Sequence, residues 1–388
     1  MRIAHVITRM IVGGAQENTL LCCRELIEQY RDDVLLITGP ALGPEGDLLQ
    51  QSRAEVPVQT IPSLRRSIHP WRDFTSYLAI KRALRKFNPD IVHTHSAKGG
   101  ILGRRAAHAI GVPAIVHTVH GAPFHPYQSK LARMFFRWCE RRAAGQCQRL
   151  VSVADAMTEL MVAGNVAESA KFVTIYSGME VEPFLAADES RSENRKRFGF
   201  AEEHVVIGKI ARLFHLKGHE YVVDAMTSVV KQNPQVRVLF VGDGILTKSI
   251  QATIRERGLS DYFHFTGLVP PAEIPGLIGA MDVLVHTSLR EGLARALPQA
   301  LIAGKPVISF DVDGAREVVK NDETGFLIRP KDTAALASAI EQLAADAELR
   351  KRLGERGRAE NTQRFRHEEM TRQLRELYQE LLDESGRT

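Results

Sequence analysis

Four side chains stand where charge could act on a phosphorylated or sugar-like ligand. Arg212 and Lys217 lie close together in Ala211-Arg212-Leu213-Phe214-His215-Leu216-Lys217-Gly218, just after an apolar run. Two neighbouring cations suit a diphosphate, because guanidinium binds it as a fork and ammonium adds a compact charge. Taken alone, they read more simply as two solvated surface cations. Glu291 sits in Ser288-Leu289-Arg290-Glu291-Gly292-Leu293-Ala294, ahead of a helix expected from about Ala294. Pro298 then falls in or near the first turn, where its missing N–H costs little. The amides of Gly292 and Leu293 would open toward a ligand. The bland alternative for Glu291 is a loop acid or a favourable charge at a helix N-terminus. His120 closes an apolar run and is followed by Gly121. That placement suits a cleft histidine, although it also suits one capping loop carbonyls.

Gly13-Gly14 follows the first apolar run and opens a helix. Amides at a helix N-terminus favour anions, and glycine lets a phosphate approach closely. A tight turn explains the pair equally well. No G-x-G-x-x-G is present, so a nicotinamide cofactor is not indicated. Two patterns imitate metal sites. Asp311-Val312-Asp313 lies in an expected loop after a strand. His93 and His95 end another strand, and no third ligand has supporting spacing. Both are read as non-metal residues.

The elements that position these residues follow from periodicity. Short apolar runs at 3–7, 34–38, 56–61, 91–94, 114–118 and 150–153 alternate with helical stretches. The alternation restarts with runs at 172–176, 205–211, 236–241, 263–266, 283–286 and 306–309. Strands alternating with helices imply βαβ units and parallel sheets. The reading is therefore α/β, with two Rossmann-like domains whose sheets face a cleft. The expected limits are 1–176, 177–365, and a C-terminal helix at 366–388 that crosses back to the first domain. In such sheets ligands bind outside the carboxyl ends of the strands.

Composition agrees with this class. The chain has 388 residues, 44% hydrophobic and 25% charged, with a net charge of +5, which argues against disorder and suits two or three core-forming domains. The four cysteines, Cys22, Cys23, Cys139 and Cys147, form neither a C-x-x-C nor a disulfide framework. The N-terminus lacks a signal-peptide pattern, and no run is long enough to span a membrane. A cytoplasmic protein is expected. Lys130, Arg133, Arg137 and Arg141 recur at helical spacing opposite Leu131, Phe135, Trp138 and Cys139. A core-packed amphipathic helix is the plain reading, and contact with anionic lipid at the inner membrane face is the sharper one.

The ordered motifs resemble the retaining, nucleotide-sugar-dependent glycosyltransferases of family 4, which have the GT-B fold. The resemblance spans nearly the whole chain. It runs from Gly13-Gly14 through Pro89-Asp90-Ile91-Val92-His93-Thr94-His95 and His117-Thr118-Val119-His120-Gly121. It continues through Ile175-Tyr176-Ser177-Gly178, Arg212 to Gly218 and Gly242-Asp243-Gly244, then the Glu291 segment and Gly314-Ala315-Arg316-Glu317. It implies catalytic roles for His120, Glu291, Arg212 and Lys217. Gly13, Gly14, Gly242, Leu268, Glu291, Gly292, Leu293, Ala294 and Gln299 would bind the donor, a nucleotide-diphosphate sugar. No metal or other cofactor is expected, and the acceptor would be a glycan or lipid-linked sugar in envelope or exopolysaccharide synthesis. One departure stands out: the family usually has Glu at the position of Gln299, which the resemblance places at the ribose. Glutamine keeps an acceptor oxygen but loses the charge. Weaker or altered nucleotide binding is expected. A nucleotide-sugar epimerase and a non-catalytic nucleotide-sugar sensor remain the alternatives, and no recognised motif supports nucleic-acid binding.

Overall fold

The structure is a computed structural model that describes residues 1–43, 46–52 and 55–386. These residues form two compact units. One comprises Met1–Met179 and the residues from Phe365 onward, and the other is Glu180–Arg364.

The first unit holds a seven-stranded sheet: β1 (Arg2–Ile7), β2 (Asp33–Thr38), β3 (Val58–Thr60), β4 (Ile91–His95), β5 (Ala114–Val119), β6 (Arg149–Ser152) and β7 (Phe172–Thr174). The order is β3-β2-β1-β4-β5-β6-β7, and every pairing is parallel. Parallel strands covered on both faces read as unbroken apolar runs. Accordingly, every residue of β4 and β5 is buried, including His93, Thr94, His95, His117 and Thr118. Those polar groups must find partners inside the domain. The edge strand β3 is shorter than the run at 56–61, because Pro57 cannot donate to the ladder. The run at 172–176 does not begin the second sheet. Its residues Phe172–Thr174 form β7, in register with Leu150–Ser152 of β6 after the crossover helix Asp155–Ala163.

Two helices, Ala347–Asn361 and His367–Glu384, follow the second unit's last βα segment. Arg366 is extended between them. The chain returns to the first unit through Met179, whose amide donates to Phe365 O at 2.8 Å while its carbonyl accepts from His367 N at 3.1 Å. This bridge puts the division after Met179 and again before Phe365. A Cβ at Gly178 would lie 2.5 Å from His367 Cα, so only glycine lets the strands of chain approach. Met370, Leu374, Leu377, Tyr378 and Leu381 repeat at helical spacing and join Leu20, Cys22, Cys23 and Leu26 of the helix Gly14–Glu28 in one core. The buried carboxylate of Asp32 anchors the arrangement. It pairs with the Met1 amine at 2.7 Å and with Arg375 Nε at 3.0 Å.

The second unit has six strands: β8 (Val205–Ile210), β9 (Val236–Val241), β10 (Phe263–Phe265), β11 (Val283–His286), β12 (Val307–Phe310) and β13 (Gly325–Ile328). Their order is β10-β9-β8-β11-β12-β13, again all parallel. Phe240, Met226, Val229, Val285 and Ile308 are among its fully buried core residues. The sequence pattern did not mark β13, whose four residues follow Thr324 directly. Each sheet reverses its winding once, between β1 and β4 in the first unit and between β8 and β11 in the second. Ligand crevices in such folds open at these reversal points, beyond the strand carboxyl ends.

Candidate functional site

In the second unit the reversal point brings together residues from the loops after β8 and β11. Lys217 Nζ donates to Glu291 Oε1 at 2.5 Å. The loops are tied by backbone as well: Leu289 N donates to Leu216 O at 2.8 Å. Thr287 Oγ1 accepts from Lys209 Nζ at 2.9 Å and donates to Gly218 O at 2.6 Å. Gly218 has φ +71°, and a Cβ there would lie 1.9 Å from Thr287 O, so the close approach requires glycine. From the turn after β12, Asp313 Oδ2 accepts the Glu291 amide at 2.6 Å. The Glu291 backbone and carboxylate are thus fixed from different sides.

Electrostatics give this cluster a defined charge state. Burial pushes the Glu291 carboxyl up, but the charge and hydrogen bond of Lys217, with a hydrogen bond from Ser288, outweigh it and hold the group below the usual carboxylate range. His286 Nε2 lies 3.6 Å from Glu291 Oε1. Burial lowers this imidazole to about 3, so it is neutral at pH 7. Lys209 is fully buried and lowered to about 7 by burial, then by repulsion from Lys217. Burial lowers His219, beneath the same loops, to about 2. Lys217, about a quarter of whose side chain is exposed, is the cation paired directly with Glu291.

The remaining candidates of this unit take separate places. Arg212 lies with its guanidinium 5.0 Å from the Phe214 ring centroid. Gly242 and the segment before Leu268 form a bridge, with Gly242 N donating to Gly267 O at 3.1 Å. Gly242 has φ +129°, and a Cβ would sit 2.4 Å from Ala211 O, which brings the end of β9 against the end of β8. Leu268 is 61% exposed. Gly292, Leu293 and Ala294 lie in the loop, because the helix starts at Ala296 and not near 294. Gly292 O accepts from Gly314 N at 3.3 Å. Gln299, in that helix, is half-buried. The Asp-x-Asp imitation is engaged elsewhere: Asp311 takes two bonds from Arg316 at 3.0 and 2.8 Å, and Asp313 holds Glu291.

In the first unit, the carboxyl ends of β1 and β4 meet through Thr8 Oγ1 and Ser96 Oγ at 2.6 Å. Gly13 precedes the helix Gly14–Glu28 and is extended, and a Cβ there would meet only the flexible end of Gln16. Neither backbone conformation nor packing within this unit demands glycine at 13. His120, just beyond β5, is not a cap on loop carbonyls alone. Its Nε2 lies 3.1 Å from His95 Nδ1, and His95 Nε2 lies 3.0 Å from His5 Nδ1. His93, two residues before His95 and on the same face, bonds Tyr378 OH at 2.5 Å and Thr118 Oγ1 at 2.7 Å. β1 therefore supplies, in His5, the third imidazole that spacing along the chain did not show. Ligand atoms of His5, His93 and His95 lie within 4.8 Å of one another. Both nitrogens of His93 and both of His95 already have hydrogen-bond partners, so the set is built as a hydrogen-bonded array. Burial lowers His5 to about 3 and holds His93, His95 and His117 well below their ordinary value.

Sequence reasoning did not single out His5, Lys209, His219 or His286. A signal existed for two of them: His5 interrupts Ile3–Ile7, and His286 ends Val283-Leu284-Val285. A polar residue inside or ending a buried strand marks a place that the fold must satisfy internally.

Comparison with known proteins gives these geometries a context. Residues 13–178 match the family described as glycosyl transferase 4-like domain, and residues 190–360 match glycosyl transferases group 1. The chain is 31% identical over 352 residues to the UDP-Gal:alpha-D-GlcNAc-diphosphoundecaprenol alpha-1,3-galactosyltransferase of Escherichia coli, covering 90% of this chain and 89% of that one. It is 26% identical to the capsular polysaccharide biosynthesis glycosyltransferase CapM of Staphylococcus aureus, covering 93% of each. Among solved structures, Anabaena HepE in complex with UDP superposes with TM-score 0.80 at 24% identity, over 98% of this chain and all of that one. These relatives give no support to an epimerase or a sensor. The chain belongs to the family 4-like, group 1 glycosyltransferases of the GT-B fold, and is an enzyme that transfers sugar from a nucleotide sugar to an acceptor.

Proposed function

We propose that this glycosyltransferase is retaining and metal-independent, and that it extends a glycan or lipid-linked sugar at the cytoplasmic face of an anionic membrane. The observation that carries the catalytic reading is the Lys217–Glu291 pair at the reversal point of the second sheet. Lys217 and Arg212 supply the positive charge that a leaving diphosphate needs, and Gly292 and Leu293 supply amides beside it. Fixed donors and charges of this kind stabilise developing charge without reorganisation. From the first unit, Gly13 and Gly14 would admit phosphate oxygens at a helix N-terminus, and His120 would meet the sugar. Gly242 and Leu268 would meet the nucleobase, and Ala294 and Gln299 the nucleoside.

The reaction breaks the bond between the anomeric carbon and the diphosphate oxygen and forms a bond to the acceptor oxygen on the same face. The acceptor proton passes to the departing phosphate. Glu291, held by an ammonium at 2.5 Å, is suited to hydrogen-bonding sugar hydroxyls and poorly suited to attacking the sugar. This favours a single front-face displacement. A diphosphoundecaprenol acceptor in the name of the Escherichia coli relative, and UDP in the HepE crystals, make a UDP-sugar and a lipid-linked acceptor the first pair to test.

The membrane reading rests on the helix Lys130–Ala144. Leu131 is 80% exposed, Met134 64% and Trp138 58%, and Phe135 and Tyr127 are also exposed. Its apolar face is not the core-packed face of the plainer reading. Exposed apolar groups beside Lys130 and Arg133 are the composition of a helix lying in an anionic interface. The same helix walls a cavity of about 330 Å³ with Ile101 and Arg105. No helix among the described residues is long and apolar enough to cross a membrane.

The experiment is a melting screen against nucleotide sugars, because a ligand that binds only the folded state raises the melting temperature. The donor found is then incubated with a lipid-linked acceptor in EDTA, and the product anomer is read by NMR. A UDP-sugar shift and a product of retained configuration in EDTA are expected. An inverted product, or turnover that requires added metal, overturns the mechanism.

A further inference from the structure

Three histidines on adjacent elements form one hydrogen-bonded file across the first sheet. His5 lies in β1, His95 ends β4, and His120 follows β5. The contacts are His5 Nδ1 to His95 Nε2 at 3.0 Å and His95 Nδ1 to His120 Nε2 at 3.1 Å. His5 is fully buried and His95 is 1% exposed. Burial depresses the imidazoles of His5 and His95, so both are neutral at pH 7 and each carries one ring proton. His93 cannot join the file, because Tyr378 and Thr118 occupy its nitrogens.

The proton positions follow from the far end. His5 Nε2 is buried and meets no hydrogen-bond partner among the described residues. An orphaned buried N–H is rarer than an orphaned acceptor. The His5 proton therefore sits on Nδ1 and is donated to His95 Nε2. His95 must then carry its own proton on Nδ1 and donate it to His120 Nε2. That leaves His120, when neutral, with its proton on Nδ1.

We infer that His5 and His95 are positioning residues that hold His120 as a donor through Nδ1–H, with its basic nitrogen capped by His95. This rests on the proposed placement of His120 at the sugar and sharpens it. A histidine held this way can donate to a hydroxyl or phosphate oxygen of the substrate, but it has no lone pair with which to deprotonate the acceptor. The acceptor proton must go elsewhere, and the leaving phosphate is the base that the reaction itself supplies.

The test is nitrogen-15 NMR of the imidazoles in the full-length protein at pH 7.5. In the native enzyme, His120 is expected to show a protonated Nδ1 and a bare Nε2. His95→Phe removes the donor while filling the space, and His120 should then shift to the Nε2–H form. His95→Gln can accept from His5 and donate to His120, so it should restore the native tautomer. In turnover, His95→Phe should lower kcat at least tenfold with the donor KM within twofold, and His95→Gln should recover kcat to within about threefold. His93→Phe, an equally buried change outside the file, should lower the melting temperature and leave the His120 tautomer unchanged. A native His120 protonated on Nε2, or a tautomer indifferent to His95→Phe, overturns the inference. The native spectrum decides this even if a variant fails to fold. If instead the tautomers behave as expected but His120→Asn leaves kcat intact, the placement of His120 at the sugar is what fails.

Discussion

Glu291 is held twice, by Lys217 Nζ on its carboxylate at 2.5 Å and by Asp313 on its backbone amide at 2.6 Å. The side-chain pair is partly exposed, so it contributes little to folding, under about 1 kcal/mol for such pairs. Its effect should appear in turnover. Glu291→Gln preserves shape and removes charge, and is expected to lower kcat by about 10²–10³, the range for removing a preorganised electrostatic partner. The melting temperature should barely move. Lys217→Ala should give a comparable loss, and the double variant should lose less than the product of the two, because the residues act as a unit. Steady-state kinetics on the three variants check this, and strictly multiplicative losses would count against a shared role.

Gln299 provides a second test. It is half-buried in the helix Ala296–Ile302, where the resemblance places a carboxylate at the ribose. Gln299→Glu should tighten the donor, by about 1 kcal/mol or roughly fivefold in KM for one charge-assisted hydrogen bond. The kcat should change less than KM. A large fall in kcat at constant KM would remove Gln299 from the nucleotide.

Acid should weaken the first unit. Burial depresses His5, His93, His95 and His117 in the folded state, so the unfolded chain binds more protons below its own value of 6.5. Stability therefore rises with pH and is lost as pH falls through 6.5. Each histidine contributes about 1.4 kcal/mol of loss per pH unit once its unfolded form is protonated. Denaturant unfolding at pH 7.5 and 5.5 should show a fall of several kcal/mol, reported first by probes in the first unit. Equal stability at the two pH values would mean that the four imidazoles are not held neutral.

Membrane contact is tested by flotation with vesicles containing anionic lipid. The native protein should float, and Leu131→Asp combined with Trp138→Ser should reduce the floated fraction at least fivefold. Charge reversal is best confined to Lys130 and Arg133. Arg137 and Arg141 bond the carbonyls of Gly164 and Asn165 at 2.9 and 2.6 Å, so changing them also disturbs the fold. Failure of the native protein to float ends the membrane reading.

The alternation of apolar runs made both sheets legible, since period and turn residues are local signals. Lys217 and Glu291 were legible as chemistry, but their contact was not. It depends on β8 and β11 becoming neighbours across 74 positions of sequence, which no local pattern encodes. The histidine file has the same origin. His93 and His95 were seen as a pair, yet His5 reaches them only through the β1–β4 pairing, 90 positions away from His95. The apolar face of Lys130–Ala144 had the periodicity of a core helix. Spacing specifies a stripe, and only the tertiary structure shows whether anything covers it.

The return of the C-terminal helix to the first unit has a consequence for biosynthesis. Met370, Leu374, Leu377 and Tyr378 complete the core formed by Leu20, Cys23 and Leu26, yet they leave the ribosome after the whole second unit. The continuous stretch Glu180–Arg364 emerges complete before them. At ~5–20 residues per second, the groove on the first-made unit stays open for roughly ten to forty seconds while the second is synthesised. The order of manufacture is thus inverted: of the two units, the one whose sheet is made first is the one whose core is completed second. During that interval its bare apolar groove is a substrate for chaperones, and a message cut short before codon 370 yields a chain whose later domain is sound and whose earlier one is not.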